Sequence, residues 1–376
     1  MSLFRPGKMY TCYLDISPGS CGIAVTETIA GKKSIPKVIT TRRIPLSDTS
    51  HPENQLRSLK RAADELLATC VSELSLHSYD IVFLIHAPFS TTAIYEYEKK
   101  FDKETVITNK ILEELHASYT KGKDTSSSLQ SENHIIHEYV QTIFLNGYPT
   151  KKPFGKVAHT LSAKIVEDSV RGTFFETILS PLTINARTAK FVGYSQFVGR
   201  MLTARTDVAA HEFAFVSMGK MHSEISIYSG GSTRENTTIH FGTYVLVEAL
   251  AKIANISRES AETVLRLHTT ATADATYSES LKEAIALAQK SFAEQVNKAM
   301  KPTAKLPNMI YYVQDSEWSS AVQEVLQDAQ SLEGARSLIH VIVDNQQLSF
   351  SPLQDARLLY GIFAILSFSD VQDTLT

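Results

Sequence analysis

Residues 9–28 read Met-Tyr-Thr-Cys-Tyr-Leu-Asp-Ile-Ser-Pro-Gly-Ser-Cys-Gly-Ile-Ala-Val-Thr-Glu-Thr, and the architecture of the chain can be worked out from them. Residues 9–16 are rich in aromatic and β-branched side chains, which favour a β-strand. The segment Ser17-Pro-Gly-Ser interrupts this pattern with residues typical of turns, and a second strand-like run begins at Gly22. We therefore predict a β-hairpin with a short polar turn.

Three further elements follow the hairpin. Residues 37–45 read as a third strand, and the spacing of leucine and alanine in residues 54–73 predicts a helix with one apolar face. The continuous apolar run at residues 81–85 is typical of a strand that is buried on both faces. The first part of the chain therefore has the order β-β-β-α-β.

This order recurs later in the chain. Residues 213–231 again read as a strand, a short turn and a strand. The predicted elements that follow are a strand at 236–241, a helix at 243–256, a helical region at 257–300, strands at 308–313 and 337–343, and a final helix near the C-terminus. The chain thus contains two similar halves.

The intervening residues have a different pattern. The elements predicted there are a helix at 109–118, a polar loop at 121–133, strands at 135–145 and 155–166, and a helix at 170–178. These elements favour a small α+β unit set into a larger fold. We predict an α/β protein of the actin-like (ribonuclease H-like) class, with duplicated β-β-β-α-β domains and this inserted subdomain. The predicted units are residues 1–87 (first subdomain), 88–180 (insert), 181–350 (second half, with a helical insertion) and 351–376 (a C-terminal helix that returns to the first subdomain).

Composition narrows the class of protein. Of the 376 residues, 43% are hydrophobic and 20% are charged, which is typical of a globular chain. The net charge of −3 gives no bulk signature of a nucleic-acid partner. The three cysteines are too few for a disulfide framework, and no apolar run reaches the length of a membrane span. We therefore expect a cytoplasmic protein without a direct membrane span.

Two turns carry a resemblance to a known family. The segment Asp15-Ile-Ser-Pro-Gly-Ser resembles the opening Asp-hydrophobic-Gly-Ser of the actin-like ATPases, and Val216-Ser-Met-Gly-Lys-Met-His-Ser-Glu resembles their second Asp-hydrophobic-Gly turn. The similarity extends over nearly the whole chain to the branch of the cell-division protein FtsA and the type IV pilus protein PilM. The other similar segments are residues 139–156, 233–251, 260–266 and 352–363.

The resemblance implies a nucleotide site between the two turns. In the family, backbone N–H groups of each turn bind phosphate oxygens, and nearby carboxylates hold a hydrated Mg²⁺. The residues implied for binding ATP are Asp15, Ser17, Gly19, Ser20, Gly219, Lys220, Glu224 and Gly242, and Asp15 is the implied Mg²⁺ ligand.

The sequence also departs from the family pattern. Ser217 stands where the second acidic residue is expected, and Ser17 replaces the first glycine of the phosphate turn. Pro18 removes a backbone donor from that turn. The strand at 309–313 is followed by Gln-Asp-Ser-Glu-Trp, without the glycine pair that lets a purine approach the backbone. We therefore expect binding of ATP and Mg²⁺ to be weak or lost.

Two residues have alternative interpretations. Asp15 could organise Mg²⁺, or it could only stabilise the Ser-Pro-Gly bend through its side chain. Glu224 could be a displaced metal-side carboxylate, or a solvated residue on an alternating strand. The residue types alone do not distinguish between these alternatives.

The expected function is that of an FtsA/PilM-type scaffold that links a membrane-associated machine, the divisome or a type IV pilus, to cytoplasmic partners. Its implied ligand is the C-terminal peptide of the division tubulin or the cytoplasmic tail of a membrane pilus protein, and self-association into protofilaments is also compatible with the family. Attachment to the inner membrane would then be indirect. The alternative is an active ATPase or small-molecule kinase that uses Mg-ATP.

Overall fold

The structure is a computed structural model. It describes residues 7–29, 36–46, 51–124, 132–204, 212–269, 275–300, 306–307, 309–314, 319–329 and 337–338.

The N-terminal elements have the predicted order and supply four strands of a five-stranded sheet. They are β1 (Lys8–Ile16), β2 (Ser20–Ile29), β3 (Lys37–Pro45), α1 (Pro52–Glu73) and β4 (Asp80–Ile85). Strands β1, β2 and β3 are antiparallel, whereas β4 lies parallel to β1 on its other side. Helix α1 begins with proline in its first turn, where no backbone donor is needed, and it buries its leucine and alanine face against the sheet. The predicted β-β-β-α-β unit is confirmed.

The insert forms its own four-stranded sheet in the order β5-β8-β6-β7. Its elements are β5 (Ser90–Val106), α2 (Asn109–Asp124), β6 (Asn133–Leu145), β7 (Tyr148–Thr150) and β8 (Val157–Arg171). Leu115 of α2 packs with Leu145 and Leu161 of the sheet. The helix runs to Asp124, beyond the predicted end at 118, so it includes the start of the segment predicted as a loop. The rest of that loop, residues 125–131, lies outside the described residues.

The chain then returns to the first sheet. A helical segment consists of α3 (Gly172–Phe174), a π-helical turn (Phe175–Leu179) and α4 (Ser180–Leu182), and it is followed by β9 (Thr188–Gly193). Strand β9 pairs in parallel with β4. The predicted boundary at residue 181 assigned this strand to the second half, so that assignment is corrected. The physical reason is that Ile178 and Leu179 pack into the core of the first sheet and bring the chain back to the open edge of β4.

The C-terminal part repeats the topology of the first sheet. Its elements are β10 (Phe213–Met218), β11 (Ser223–Ser229), β12 (Ser232–Ile239), α6 (Tyr244–Ala254), α7 (Arg258–Thr269), α8 (Ser278–Ala299), β13 (Met309–Gln314), α9 (Ser319–Ala329) and β14 (Ser337–Leu338). The strand order β12-β11-β10-β13-β14 matches β3-β2-β1-β4-β9 of the first sheet. The strand directions match as well, so the predicted duplication is confirmed.

The inner faces of the two five-stranded sheets converge on one helix, α5 (Tyr194–Ala204). Tyr13 and Leu84 from the first sheet share a buried cluster with Phe215 and Tyr311 from the second, together with apolar residues of α5. This shared core fixes the two halves against each other. The ends of β1 and β10 are thereby brought face to face.

Within the described part of the chain, no helix combines the length and hydropathy that crossing a bilayer requires. The predicted C-terminal helix at 351–376 and the segment after β13, where a purine would approach, lie outside the described residues.

Candidate functional site

The two predicted turns face each other. The first joins β1 to β2 and the second joins β10 to β11. A Cβ atom added to Gly19 in the first turn would lie 2.7 Å from Cδ of Lys220 in the second, so the lysine side chain lies directly on the first turn. The structure therefore brings the first turn into contact with Lys220 of the second.

The first turn is held by its own hydrogen bonds and by its neighbours. The backbone N–H and the hydroxyl of Ser17 both donate to the carbonyl oxygen of Ser20, at 3.1 and 3.0 Å. The carbonyl of Pro18 accepts a bond from the side-chain amide of Gln55, and the carbonyl of Gly19 accepts one from the backbone N–H of Leu46. Proline has no N–H to offer a ligand, so this turn is a poor cradle for phosphate oxygens.

Asp15 is fully buried just before this turn and is held by an arginine. It lies opposite Gly22 on β2, and Gly22 lies opposite Arg43 on β3. The guanidinium of Arg43 crosses over Gly22, where an added Cβ would be 2.9 Å from its Nη2 atom. It donates one hydrogen bond to Oδ2 of Asp15 and another, at 2.7 Å, to the hydroxyl of Ser20. Asp15 therefore does not simply stabilise the bend.

His86 joins Asp15 to the second half of the molecule. This histidine directly follows β4, and its backbone N–H donates to the carbonyl of Ile16. Its Nε2 atom bonds to Oδ1 of Asp15, and its Nδ1 atom lies 3.3 Å from the hydroxyl oxygen of Ser217 on β10. Its ring stacks on Tyr194, with 3.9 Å between the ring centroids. The result is a buried chain of side chains from one half to the other.

The second turn is fastened to the N-terminus of α6. The backbone N–H of Gly219 donates to the carbonyl of His222 at 2.9 Å, which closes the turn. The carbonyls of Gly219 and Lys220 accept bonds from the backbone N–H groups of Thr243 and Tyr244, the two residues after Gly242. Gly219, Lys220 and Gly242 thus lie close together in space.

Glu224 lies opposite Ser217 in the hairpin, but its carboxylate bonds to side chains outside the two turns. Its carboxylate accepts hydrogen bonds from the hydroxyl of Ser195 at 2.7 Å and from the amide of Asn236 at 2.8 Å. Burial raises the pKa of Glu224, against the effect of these bonds and of a bond from the backbone N–H of Ala87. The solvated alternative for this residue is wrong, because Glu224 is 5% exposed.

A second buried carboxyl group, Asp168 on β8, lies close to Glu224. Thr92 donates a 2.6 Å hydrogen bond to its Oδ1 atom, whereas no side chain or backbone group of the described residues lies in good hydrogen-bonding geometry to its Oδ2 atom. Burial, together with the charge of Glu224, raises the pKa of Asp168 to about 7, against the lowering effect of the hydrogen bonds from Thr92 and from the backbone N–H of Gly193. At neutral pH this buried group is therefore partly protonated.

The residues present do not fit a hydrated Mg²⁺ at the first turn. A divalent cation needs carboxylate oxygens that are open to it and to its waters. Here the two oxygens of Asp15 are held by Arg43 and His86, and the matching position of the second half offers the hydroxyl of Ser217. Among the described residues, no cluster of three or more histidine, cysteine, aspartate or glutamate side chains is arranged to hold a metal ion.

Sequence reasoning missed the residues that define this cleft. They are Arg43, His86, Asp168, Tyr194 and Ser195. The position of Arg43 could have been predicted from the sequence. The turn fixes the pairing of Asp15 with Gly22, and the pairing of the next strand with β2 places Arg43 opposite Gly22. The others reach the cleft from distant elements, and no local pattern marks them.

Comparison with known proteins identifies the fold. No protein-family model matches the sequence, and no curated protein matches it. Among solved structures, a chain of the PilM–PilN type IV pilus biogenesis complex superposes with a TM-score of 0.59 at 10% identity, covering 95% of this chain and 96% of that one. The ethanolamine utilization protein EutJ from Carboxydothermus hydrogenoformans gives a TM-score of 0.47 at 12% identity, covering 96% and 89%.

A third solved structure belongs to a protein from Bacteroides thetaiotaomicron with an actin-like ATPase fold and unknown function. It gives a TM-score of 0.43 at 9% identity and covers 98% of this chain and 99% of that one. At such identities the likeness concerns the fold alone. The chain has the actin-like ATPase fold, which PilM shares, and the predicted fold class is confirmed.

Proposed function

We propose that the protein is an actin-like scaffold of the FtsA/PilM type, with a cleft that no longer performs Mg-ATP chemistry. In this role it links a membrane-associated machine to cytoplasmic partners. It acts from the cytoplasmic side and reaches the membrane through those partners.

The observation that carries this proposal is the difference between two matched positions. Asp15 on β1 and Ser217 on β10 occupy equivalent places in the duplicated sheets, each lying one residue before the last residue of its strand. In the family, both turns contribute an acidic residue to the metal site. A hydroxyl in place of the second carboxylate removes half of the negative charge that would attract a divalent cation.

The second support is the composition of the first turn. Pro18 has no N–H donor, so this turn has one backbone donor fewer for phosphate oxygens than a non-proline residue would give it. This difference weakens the binding of a triphosphate.

The fold likeness supports a proposal about the partner. PilM occurs in a complex with PilN in type IV pilus biogenesis. By analogy, we propose that a short cytoplasmic tail of a membrane pilus or related machine protein binds this chain. The division-tubulin peptide and self-association into protofilaments are the competing possibilities within the same scaffold class.

Calorimetry with ATP and MgCl₂, combined with a phosphate-release assay, tests the proposal. We expect no saturable binding in the micromolar range and no phosphate release above that of the buffer. The Asp15→Asn variant serves as the matched control, because it removes one charge with little change of shape. Micromolar Mg-ATP binding with turnover, both abolished by Asp15→Asn, would establish the ATPase or kinase alternative instead.

A further inference from the structure

Arg43 lies where its charge can replace that of a metal ion. Asp15, Gly22 and Arg43 form one row across three antiparallel strands, and Gly22 leaves the space through which the guanidinium reaches the carboxylate. The side chain of Asp15 is 0% exposed and that of Arg43 is 19% exposed. The arginine therefore enters the cleft from the solvent side and ends on a buried carboxylate.

A buried carboxylate requires a positive partner at close range. Removing an ionised group from water costs several kcal/mol, which a well-placed ion pair with further hydrogen bonds offsets. The second bond of Arg43, to the hydroxyl of Ser20, holds the guanidinium on the first turn. An arginine keeps its charge at every physiological pH, so this partner cannot be lost by titration.

The neutralised Asp15 is also connected to the second half. His86 bonds to the other oxygen of Asp15 and faces Ser217 across the cleft. Tyr194, at the start of α5 between the two sheets, stacks on the imidazole and fixes its plane. The two halves are thus joined through Arg43, Asp15, His86 and Ser217.

We propose that Arg43 is a resident cation for Asp15, so that its guanidinium takes the place that a divalent metal takes in this fold. His86 then connects the paired Asp15 to Ser217 of the second half through its two ring nitrogens. The cleft is then held shut by its own side chains rather than by Mg-nucleotide. This inference deepens the proposed function, and it rests on that function for the identification of the cleft.

A double-mutant cycle on the full chain tests the pairing. The thermal midpoint is measured for wild type, Arg43→Gln, Asp15→Asn and the double variant. We expect each single variant to lower the midpoint by roughly 5–10 °C, since each leaves a buried polar or charged group without its partner. The double variant should fall by clearly less than the sum of the two. Additive effects would overturn the proposal.

A magnesium titration gives a second measurement. A variant that is only less stable would not change how its thermal midpoint responds to MgCl₂. With Arg43→Gln the carboxylate of Asp15 lacks its cation, so 10 mM MgCl₂ should raise the midpoint by about 3 °C, as expected for millimolar binding to the folded state. Wild type should not respond. Arg42→Ala is the matched control, because Arg42 is the adjacent residue on β3 and pairs instead with Glu73 at the exposed end of α1. It should respond like wild type.

The outcomes separate this inference from the proposed function. A magnesium response in wild type that Asp15→Asn abolishes would overturn the resident-cation proposal, and so would an Arg43→Gln variant that matches wild type in midpoint and in magnesium response. If Arg43→Gln fails to fold, the double variant decides, because only the proposal predicts that removing both charges restores folding. Mg-ATP binding together with a non-additive cycle would refute the proposed function and leave the Arg43–Asp15 pairing intact.

Discussion

Asp168 illustrates how burial changes the chemistry of a single side chain. It is 1% exposed on β8, at a point where the insert meets the rest of the molecule. A Cβ atom added to Gly193, at the end of β9, would lie 2.8 Å from Oδ2 of Asp168, so the carboxyl group is packed tightly between the insert and the first sheet. Its other oxygen, Oδ1, accepts the hydrogen bond from Thr92.

This burial predicts a pH-dependent stability. The pKa of Asp168 is raised to about 7 in the folded protein, well above the ordinary value of roughly 3.9 in an unfolded chain. Between these values the folded state binds more protons than the unfolded state, so the stability that this group contributes is present at low pH and falls as the pH rises towards 7. From pH 5 to pH 8 the loss is about 1–3 kcal/mol.

The test compares Asp168→Asn with wild type by chemical denaturation at both pH values. An asparagine cannot ionise, so the variant should gain about 1–3 kcal/mol relative to wild type on going from pH 5 to pH 8. Asp102→Asn on the exposed part of β5 is the control and should show no such gain. An unchanged difference between Asp168→Asn and wild type at the two pH values would show that this carboxyl group is ionised throughout.

For single residues as well, part of the site could be predicted from the sequence. Asp15, Gly19, Lys220 and Gly242 lie in or beside short turns whose composition is visible locally, and the structure brings them to one cleft. The role of His86 could not be read in this way. Its partners are 71 and 131 residues away in sequence, so its position depends on the parallel pairing of β4 with β1 and on the shared core.

Among the elements, α5 has the most constrained position, because it lies between the two sheets. Tyr228 of β11 reaches across the backbone of α5 and donates a 3.2 Å hydrogen bond to the carbonyl of Ser195. A Cβ atom on Gly199 would overlap the phenol ring of this tyrosine. The glycine is therefore required by close packing, although glycine lowers helix propensity.

Substituting this glycine tests that packing. Gly199→Ala should destabilise the protein by about 2–4 kcal/mol despite the higher helix propensity of alanine, because Tyr228 is fully buried and cannot move aside cheaply. Thermal unfolding measures the effect. Thr203→Ala in the same helix is the control and should change the midpoint little. A neutral or stabilised Gly199→Ala variant would mean that α5 and β11 are further apart than described.

The elements also differ in how well the sequence predicted them. The hairpins followed from aromatic and β-branched runs separated by turn residues, and the buried strand β4 followed from a continuous apolar run. These elements were predicted within a few residues. Strand β9 was assigned to the wrong half. The sheet that a strand joins depends on which sheet edge is free to pair with it, and the residues of the strand itself do not reveal this. The end of α2 was placed too early, since its last turn is as polar as a loop.

Across the whole molecule, the two matched sheets share a buried core with α5. Polar contacts join the insert and α5 to the second half. The hydroxyls of Thr142 on β6 and Ser232 on β12 are 2.8 Å apart, and the hydroxyl of Thr233 donates a 3.1 Å bond to Gln196. Together with the hydrogen bonds of His86 to Asp15 and Ser217, these contacts connect the two halves.

In the proposed arrangement, side chains of the protein and not Mg-nucleotide hold the cleft around Asp15 shut. Hydrogen–deuterium exchange of the backbone amides in the two turns, residues 15–22 and 217–223, measures this closure. We expect slow exchange in the protein alone and no change on adding millimolar Mg-ATP. Faster exchange that becomes protected when Mg-ATP is added, with the protection lost in Asp15→Asn, would contradict it.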